Sequence, residues 1–301
     1  MLTGCGPQPK GFELITPGGR PFYLAHNYGF DRERTHSELA DRSPAGLVLV
    51  VTLDGKMGEP VSGARSLDDL RPTLEAHPDM LPILSLYLTP NTLRAICGGG
   101  EEIARRLAPL EEWIAGTDRP VALSIGFQVD SPIWETDPGV FREGYRCLVD
   151  RFGARGLGEV SFGVHYSGMG PTYGDRPVAD WFPGREYVNW LGVTAYKIVA
   201  EHFRDTTTFS RSTLEEVTDL AEQEDLGILI LEANPRPVAR MLEGGGDTLW
   251  DAYYEPLLQL LEDNESILGV AHHSGAPADS LATERYHRFL GGEGLRNGRM
   301  Y

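Results

Sequence analysis

Glu232 is the side chain best placed to do chemistry in this chain. It directly follows the apolar run Ile228-Leu229-Ile230-Leu231, where a carboxylate is costly to bury unless it is paired or used. A nucleophile or base is the active reading; a rim carboxylate paired with Arg236 is the passive one. Other apolar runs also close on polar residues. His26, Asn27 and Tyr28 end the first, and Gln128 and Asp130 end the fourth, with Trp134 and Glu135 just beyond. His165 and Tyr166 close the fifth, Tyr196 and Lys197 the sixth, Glu232 and Asn234 the seventh, and His272 and His273 the eighth. A purely structural sheet has no need of polar groups at so many ends, so a polar pocket is expected.

The elements that must position these groups are short, β-rich and mostly continuously apolar, as parallel strands buried on both faces should be. They are Phe22–Tyr28, Gly46–Leu53, Leu81–Leu88, Pro120–Val129, Val160–Ser167, Trp190–Tyr196, Gly227–Asn234 and Ile267–Ser274. Helical segments are expected over Glu101–Ile114, Pro138–Phe152, Thr213–Glu224 and Trp250–Asp263, the third capped by Ser212 or Thr213. Strands alternating with helices imply a parallel sheet, and eight units close most economically into a single-domain (β/α)8 TIM barrel. Residues 21–301 are assigned to that barrel and residues 1–20 to an N-terminal extension. In such barrels the site lies at the C-terminal strand ends. An open doubly wound sheet would carry a glycine-rich phosphate loop after its first strand. The text there, HNYGFDRE, is none.

Net charge is −17, which disfavours nucleic acid and anionic membranes as partners and suits a neutral carbohydrate. No apolar run of about 18 residues appears, so no membrane span is expected. The three cysteines, Cys5, Cys97 and Cys147, have no metal-ligand spacing and allow at most one disulfide. His272 and His273 are adjacent and point to opposite sides of a strand, which weakens a metal site. Neither metal nor cofactor is expected. Leu2-Thr3-Gly4-Cys5 reads as a lipoprotein box without its apolar leader. A secreted or lipid-anchored envelope protein follows if that box is genuine, and a cytoplasmic one if it is a chance match.

Three stretches resemble glycoside hydrolase family 26 and its clan A relatives. Trp181-Phe182-Pro183-Gly184-Arg185-Glu186-Tyr187-Val188-Asn189-Trp190-Leu191-Gly192-Val193 is similar to the family's W-Y-P-G-D-x-Y-V-D-W-V-G motif. Gly126-Phe127-Gln128-Val129-Asp130-Ser131-Pro132 resembles a G-Y-E-F-D-G-P strand-four motif, and residues 141–150 resemble its helical continuation. The likeness covers roughly residues 120–275. It implies a retaining glycosidase, in which a nucleophile after strand seven and an acid/base after strand four lie about 5 Å apart.

The nucleophile carries over to Glu232 and the acid/base position to Gln128. There the chain departs from the pattern, because an amide cannot give a proton as a carboxylic acid does. Three explanations stand: an engineered, inactive Glu-to-Gln form; divergence with the acid role moved to Glu135, Asp130 or His165; or a non-catalytic sugar-binding barrel or one with altered chemistry. Tyr196 is implied beside the nucleophile. Trp134, Trp181 and Tyr173 are candidate stacking platforms for sugar rings. Asp130, His165, Asn234, His272 and His26 complete the expected substrate-binding set.

Overall fold

The structure is a computed structural model. It describes Leu14 and residues 22–26, 44–53, 67–131, 137–157, 159–168, 176–195, 212–233 and 250–272. Eight strands form one closed parallel barrel in chain order. They are β1 (Phe22–His26), β2 (Gly46–Thr52), β3 (Leu81–Tyr87), β4 (Val121–Ile125), β5 (Val160–Tyr166), β6 (Trp190–Ala195), β7 (Gly227–Ala233) and β8 (Ile267–His272). β8 returns to pair with β1, Tyr23 opposite Val270, so no strand edge is left open.

The described helices are α1 (Leu67–Ala76), α2 (Pro90–Gly98), α3 (Glu101–Gly116), α4 (Pro138–Ala154), α5 (Ser212–Glu224) and α6 (Glu255–Asp263), the last entered through a π-helical turn at Trp250–Tyr254. Four coincide with the expected segments; α1 and α2 were not anticipated. Local chemistry sets their starts. The Thr89 hydroxyl accepts from the Thr92 amide at 3.2 Å to open α2. An Asp137 carboxylate oxygen accepts from the Gly139 and Val140 amides at 2.8 and 3.3 Å to open α4, with Pro138 as its first residue.

The two-residue period of the strands sorts the core into two layers. Leu84, Leu86, Leu123, Ile125, Leu191 and Val193 pack outward with Leu107, Leu148 and Val217 of the helices. Phe22, Leu24, Leu81, Ile83, Ala122, Trp190 and Leu229 form a second cluster that contains no helix residue. This cluster fills the barrel interior. Leu14, from the segment before β1, is buried in the same cluster.

Among the described residues Trp190 is the largest side chain inside, and its indole donates to the Ser161 carbonyl at 3.2 Å. Gly163 on the neighbouring strand makes room for it. A Cβ there would stand 2.4–2.6 Å from three ring carbons.

Outside the barrel, Cys97 of α2 and Cys147 of α4 are joined by a disulfide. Sequence reading allowed one bridge without choosing its partners. Buried Glu111 of α3 is held by Arg151 of α4 and by Arg155 just beyond it, at 2.5 and 2.9 Å. Each contact ties α4 to a preceding helix.

Gly163→Ala is expected to lower stability by about 1–3 kcal/mol through overpacking against Trp190, read as a lowered denaturation midpoint. Reducing the Cys97–Cys147 bond is expected to cost about 2–4 kcal/mol, read by comparing thermal unfolding with and without a thiol reductant.

Candidate active site

The barrel interior changes from apolar to polar toward the C-terminal strand ends. Counting by twos from the interior residues Leu24, Ile83, Ala122, Gly163 and Trp190 reaches His26, Ser85, Ser124, His165 and Thr194. All five are buried. In a confined interior such groups must bond to one another, and three of them do. The Ser85 hydroxyl meets His165 Nδ1 at 3.2 Å, and His165 Nε2 meets the Thr194 hydroxyl at 2.8 Å. The Gln128 amide then donates to the same hydroxyl at 3.1 Å. A continuous chain, Ser85–His165–Thr194–Gln128, runs across β3, β5, β6 and the end of β4.

Gln128 reaches Thr194 because strand four stops early. The apolar run predicted a strand to Val129, but β4 ends at Ile125. Gly126 has φ 89° and Gln128 φ 51°, both in the left-handed region that side chains disfavour. A Cβ on Gly126 would lie 2.3 Å from Val129 and 2.9 Å from the Phe141 ring, so only glycine fits. Three hydrogen bonds hold the turn: Ser131 N to Gln128 O and Val129 N to His165 O, both 2.9 Å, and Ser167 N to an Asp130 carboxylate oxygen at 2.6 Å. The Ser167 hydroxyl donates to the other Asp130 oxygen at 2.9 Å. Asp130 therefore braces the turn that carries Gln128.

Glu232 arrives by another irregularity. Leu229 and Leu231 face inward, and strict alternation would turn Glu232 outward. The β6–β7 register shifts there: Val193 pairs with Ile230, but Thr194 pairs with Glu232 and Ala195 with Ala233. Ala195 and Ala233 pack in the outer layer. The bulge thus resets the phase and puts Glu232 on the same side as Thr194, a common use of bulges near sites. Glu232 is buried. Thr194 is the junction: one residue that bonds Gln128 and pairs in register with Glu232.

Burial sets the protonation states. His165 is pushed down to about 3 by desolvation and stays neutral, so it is no proton donor at ordinary pH. Asp130 is raised to about 6 by burial, against the lowering effect of its two Ser167 hydrogen bonds.

The remaining expected residues fall as follows. His26 is buried at the end of β1, with β2 and β3 between it and β4. Trp181 is fully buried, its ring 6.3 Å from that of Phe141 in the outer layer. The sugar-platform expectation for it is corrected: with no exposed face, it packs α4. The rest of its motif is scaffold too. Asn189 exchanges hydrogen bonds with the Phe162 backbone at 2.7 and 2.8 Å, and Arg146 of α4 donates to the Pro183 carbonyl at 2.7 Å. Trp134, Glu135, Tyr173, Tyr196, Asn234, Arg236 and His273 lie outside the described residues, as does the side chain of His272. Sequence reading missed Ser85, Thr194 and Ser167. The two-residue count from Trp190 was the signal available for Thr194.

The barrel has the fold of glycoside hydrolase family 26 enzymes. It superposes on a family 26 β-mannanase of Bacteroides ovatus with a TM-score of 0.66 at 13% identity, over 94% of this chain and 92% of that one. A modular endo-β-1,4-mannanase of Cellulomonas fimi gives 0.64 at 14% identity, over 92% of this chain and 72% of the other. In sequence, a β-1,3-xylanase of an Alcaligenes species is 20% identical over 267 residues, 83% of this chain. The chain spans 54% of that relative's length. No protein-family model matches the chain.

The shifts predict opposing pH effects. His165 has a folded value near 3 against 6.5 when free, so its contribution to stability is full above about 6.5 and is lost as pH falls toward 3. Asp130, at about 6 against 3.8, runs the other way: its contribution is full below about 3.8 and lost as pH rises through 6. Between roughly pH 4 and 6 the two offset each other. Asp130→Asn removes one of them. Urea denaturation of that variant should show stability falling from pH 6 to 4 more steeply than in the parent, by up to about 1.4 kcal/mol per pH unit.

Proposed function

We propose that this chain is a glycoside hydrolase of the retaining, two-carboxylate type acting on a neutral oligo- or polysaccharide. Glu232 is its nucleophile and Gln128 occupies the acid/base position. One observation carries the reading: the β7 bulge turns Glu232 to the side of Thr194, the hydroxyl to which Gln128 is bonded. Groups from strands four and seven thereby share the inner side of β6 at Thr194, which supports a retaining pair. The mannanases and xylanase that resemble the chain support a β-linked sugar. Burial, which holds His165 unprotonated, argues against a transferred acid role there. A second reading, a barrel that binds sugar without cleaving it, is favoured by the amide at 128.

The compartment is proposed on separate grounds. The Cys97–Cys147 bond favours an oxidising environment and supports Leu2-Thr3-Gly4-Cys5 as a lipid-attachment box.

The test is sugar release from β-linked mannan, xylan and glucan by the chain and its variants. Gln128→Glu should raise release by about 100-fold or more, the scale of general-acid catalysis, and Glu232→Ala in that background should abolish it. If Gln128→Glu is folded, binds the polysaccharide and releases nothing, the sugar-binding reading replaces this one.

A further inference from the structure

The bond from Gln128 to Thr194 has a direction, and that direction propagates. The Gln128 amide N–H donates to the Thr194 hydroxyl. The hydroxyl has one hydrogen of its own, and its other bond among the described residues is to His165 Nε2, at 2.8 Å. The hydrogen therefore points at the imidazole, and Nε2 accepts it. His165 is neutral and carries one ring proton. That proton stands on Nδ1 and is donated to the Ser85 hydroxyl. The two lengths agree with this order. Hydroxyl donors bond at roughly 2.5–3.0 Å and N–H donors at roughly 2.7–3.2 Å. The 2.8 Å contact suits a hydroxyl donor, and the 3.2 Å contact suits only a ring N–H.

Every link in this chain can also point the other way. A hydroxyl donates or accepts, and a neutral imidazole carries its proton on either nitrogen. An ionised carboxylate only accepts. Placed at position 128, it would draw the Thr194 hydrogen toward itself. Thr194 would then accept from His165 Nε2–H, and the bare Nδ1 would accept from Ser85. The links between Thr194 and Ser85 stay neutral in either direction. In a retaining glycosidase the group at this position alternates between acid and conjugate base in each turnover. A chain that can reverse keeps hold of it in both forms.

Resting on the reading of residue 128 as the acid/base position, we infer that Thr194 and His165 are its positioning residues, joined to it by a hydrogen-bond chain whose direction follows the group at 128. They act through that side chain. With Gln128 the His165 proton is on Nδ1; with an ionised glutamate there it is on Nε2.

The first measurement is the tautomer of His165, by two-bond proton–nitrogen NMR on the histidine-labelled chain. It is made at about pH 8, where a buried glutamate tuned toward about 6–7 is ionised. The His165 signals are those missing from a His165→Asn variant. The unaltered chain should show the Nδ1–H form and Gln128→Glu the Nε2–H form. Thr194→Val should uncouple the two, so that Gln128→Glu no longer changes the tautomer. Thr194→Ser, which keeps the hydroxyl, should restore the change. An Nε2 proton in the unaltered chain, or one tautomer throughout the folded variants, would overturn the inference.

The second measurement is the pH profile of polysaccharide hydrolysis in the Gln128→Glu background. Removing a donor to the ionised form of a carboxyl raises its pKa. Thr194→Val should therefore move the alkaline limb of kcat/KM up by about one pH unit. The acid limb, set by Glu232, should stay in place, and Thr194→Ser should reverse the shift. The other titratable groups at these strand ends among the described residues are His26, Tyr87, Asp130, Tyr166 and Glu232, and the substitution keeps them all. An equal loss at every pH would mark Thr194 as structural only and overturn the inference. If the tautomer switches but Gln128→Glu cleaves nothing, the chain stands and the retaining reading falls.

Discussion

The two-residue period of β-strands, enforced inside a closed barrel, is the constraint on which the rest of this structure depends. Each strand sends alternate side chains into a narrow interior and out toward the helices. What goes in must fill the space or find a hydrogen-bond partner there. At one level Trp190 fills it, with Gly163 leaving the room. At the other, Ser85, His165 and Thr194 bond one another and Gln128. The same rule gives a greasy core and a polar mouth, because only the residue types at the inward positions change.

The candidate chemistry sits where that period breaks. β4 gives way to a turn with two left-handed residues, and β7 takes an extra residue before Glu232. Such irregularities cost conformational energy and need support. Gly126 removes the clash in the first, and the Asp130–Ser167 pair ties the turn to the end of β5. Gly168 follows Ser167 at φ 58°, where a Cβ would lie 1.9 Å from the Thr194 carbonyl oxygen. That approach brings the end of β5 against the strand carrying the junction hydroxyl.

Much of the fold was legible because burial on both faces writes continuous apolar runs. All eight strands lie where those runs predicted. β4 stops short of its run: Phe127 and Val129 are apolar and extend the run, yet the chain has already turned. Helices α1 and α2 escaped notice; they are short, and each carries a proline. Trp181 was misread because a tryptophan in a motif looks alike whether it faces a sugar or Phe141. Cys97 and Cys147 are 50 residues apart, and nothing local links them.

By itself the sequence determined the eightfold alternation and the positions of Glu232 and Gln128 at strand ends. These are properties of residue type and order, which periodicity and burial cost expose directly. Tertiary structure decided that Glu232 faces inward, that Thr194 joins it to Gln128, that Asp130 is a brace and that His165 is held neutral. Each of these depends on register between strands far apart in the chain and on exclusion of water from the interior. A one-residue shift of register reverses the direction of a side chain, and no local pattern in β7 records that shift.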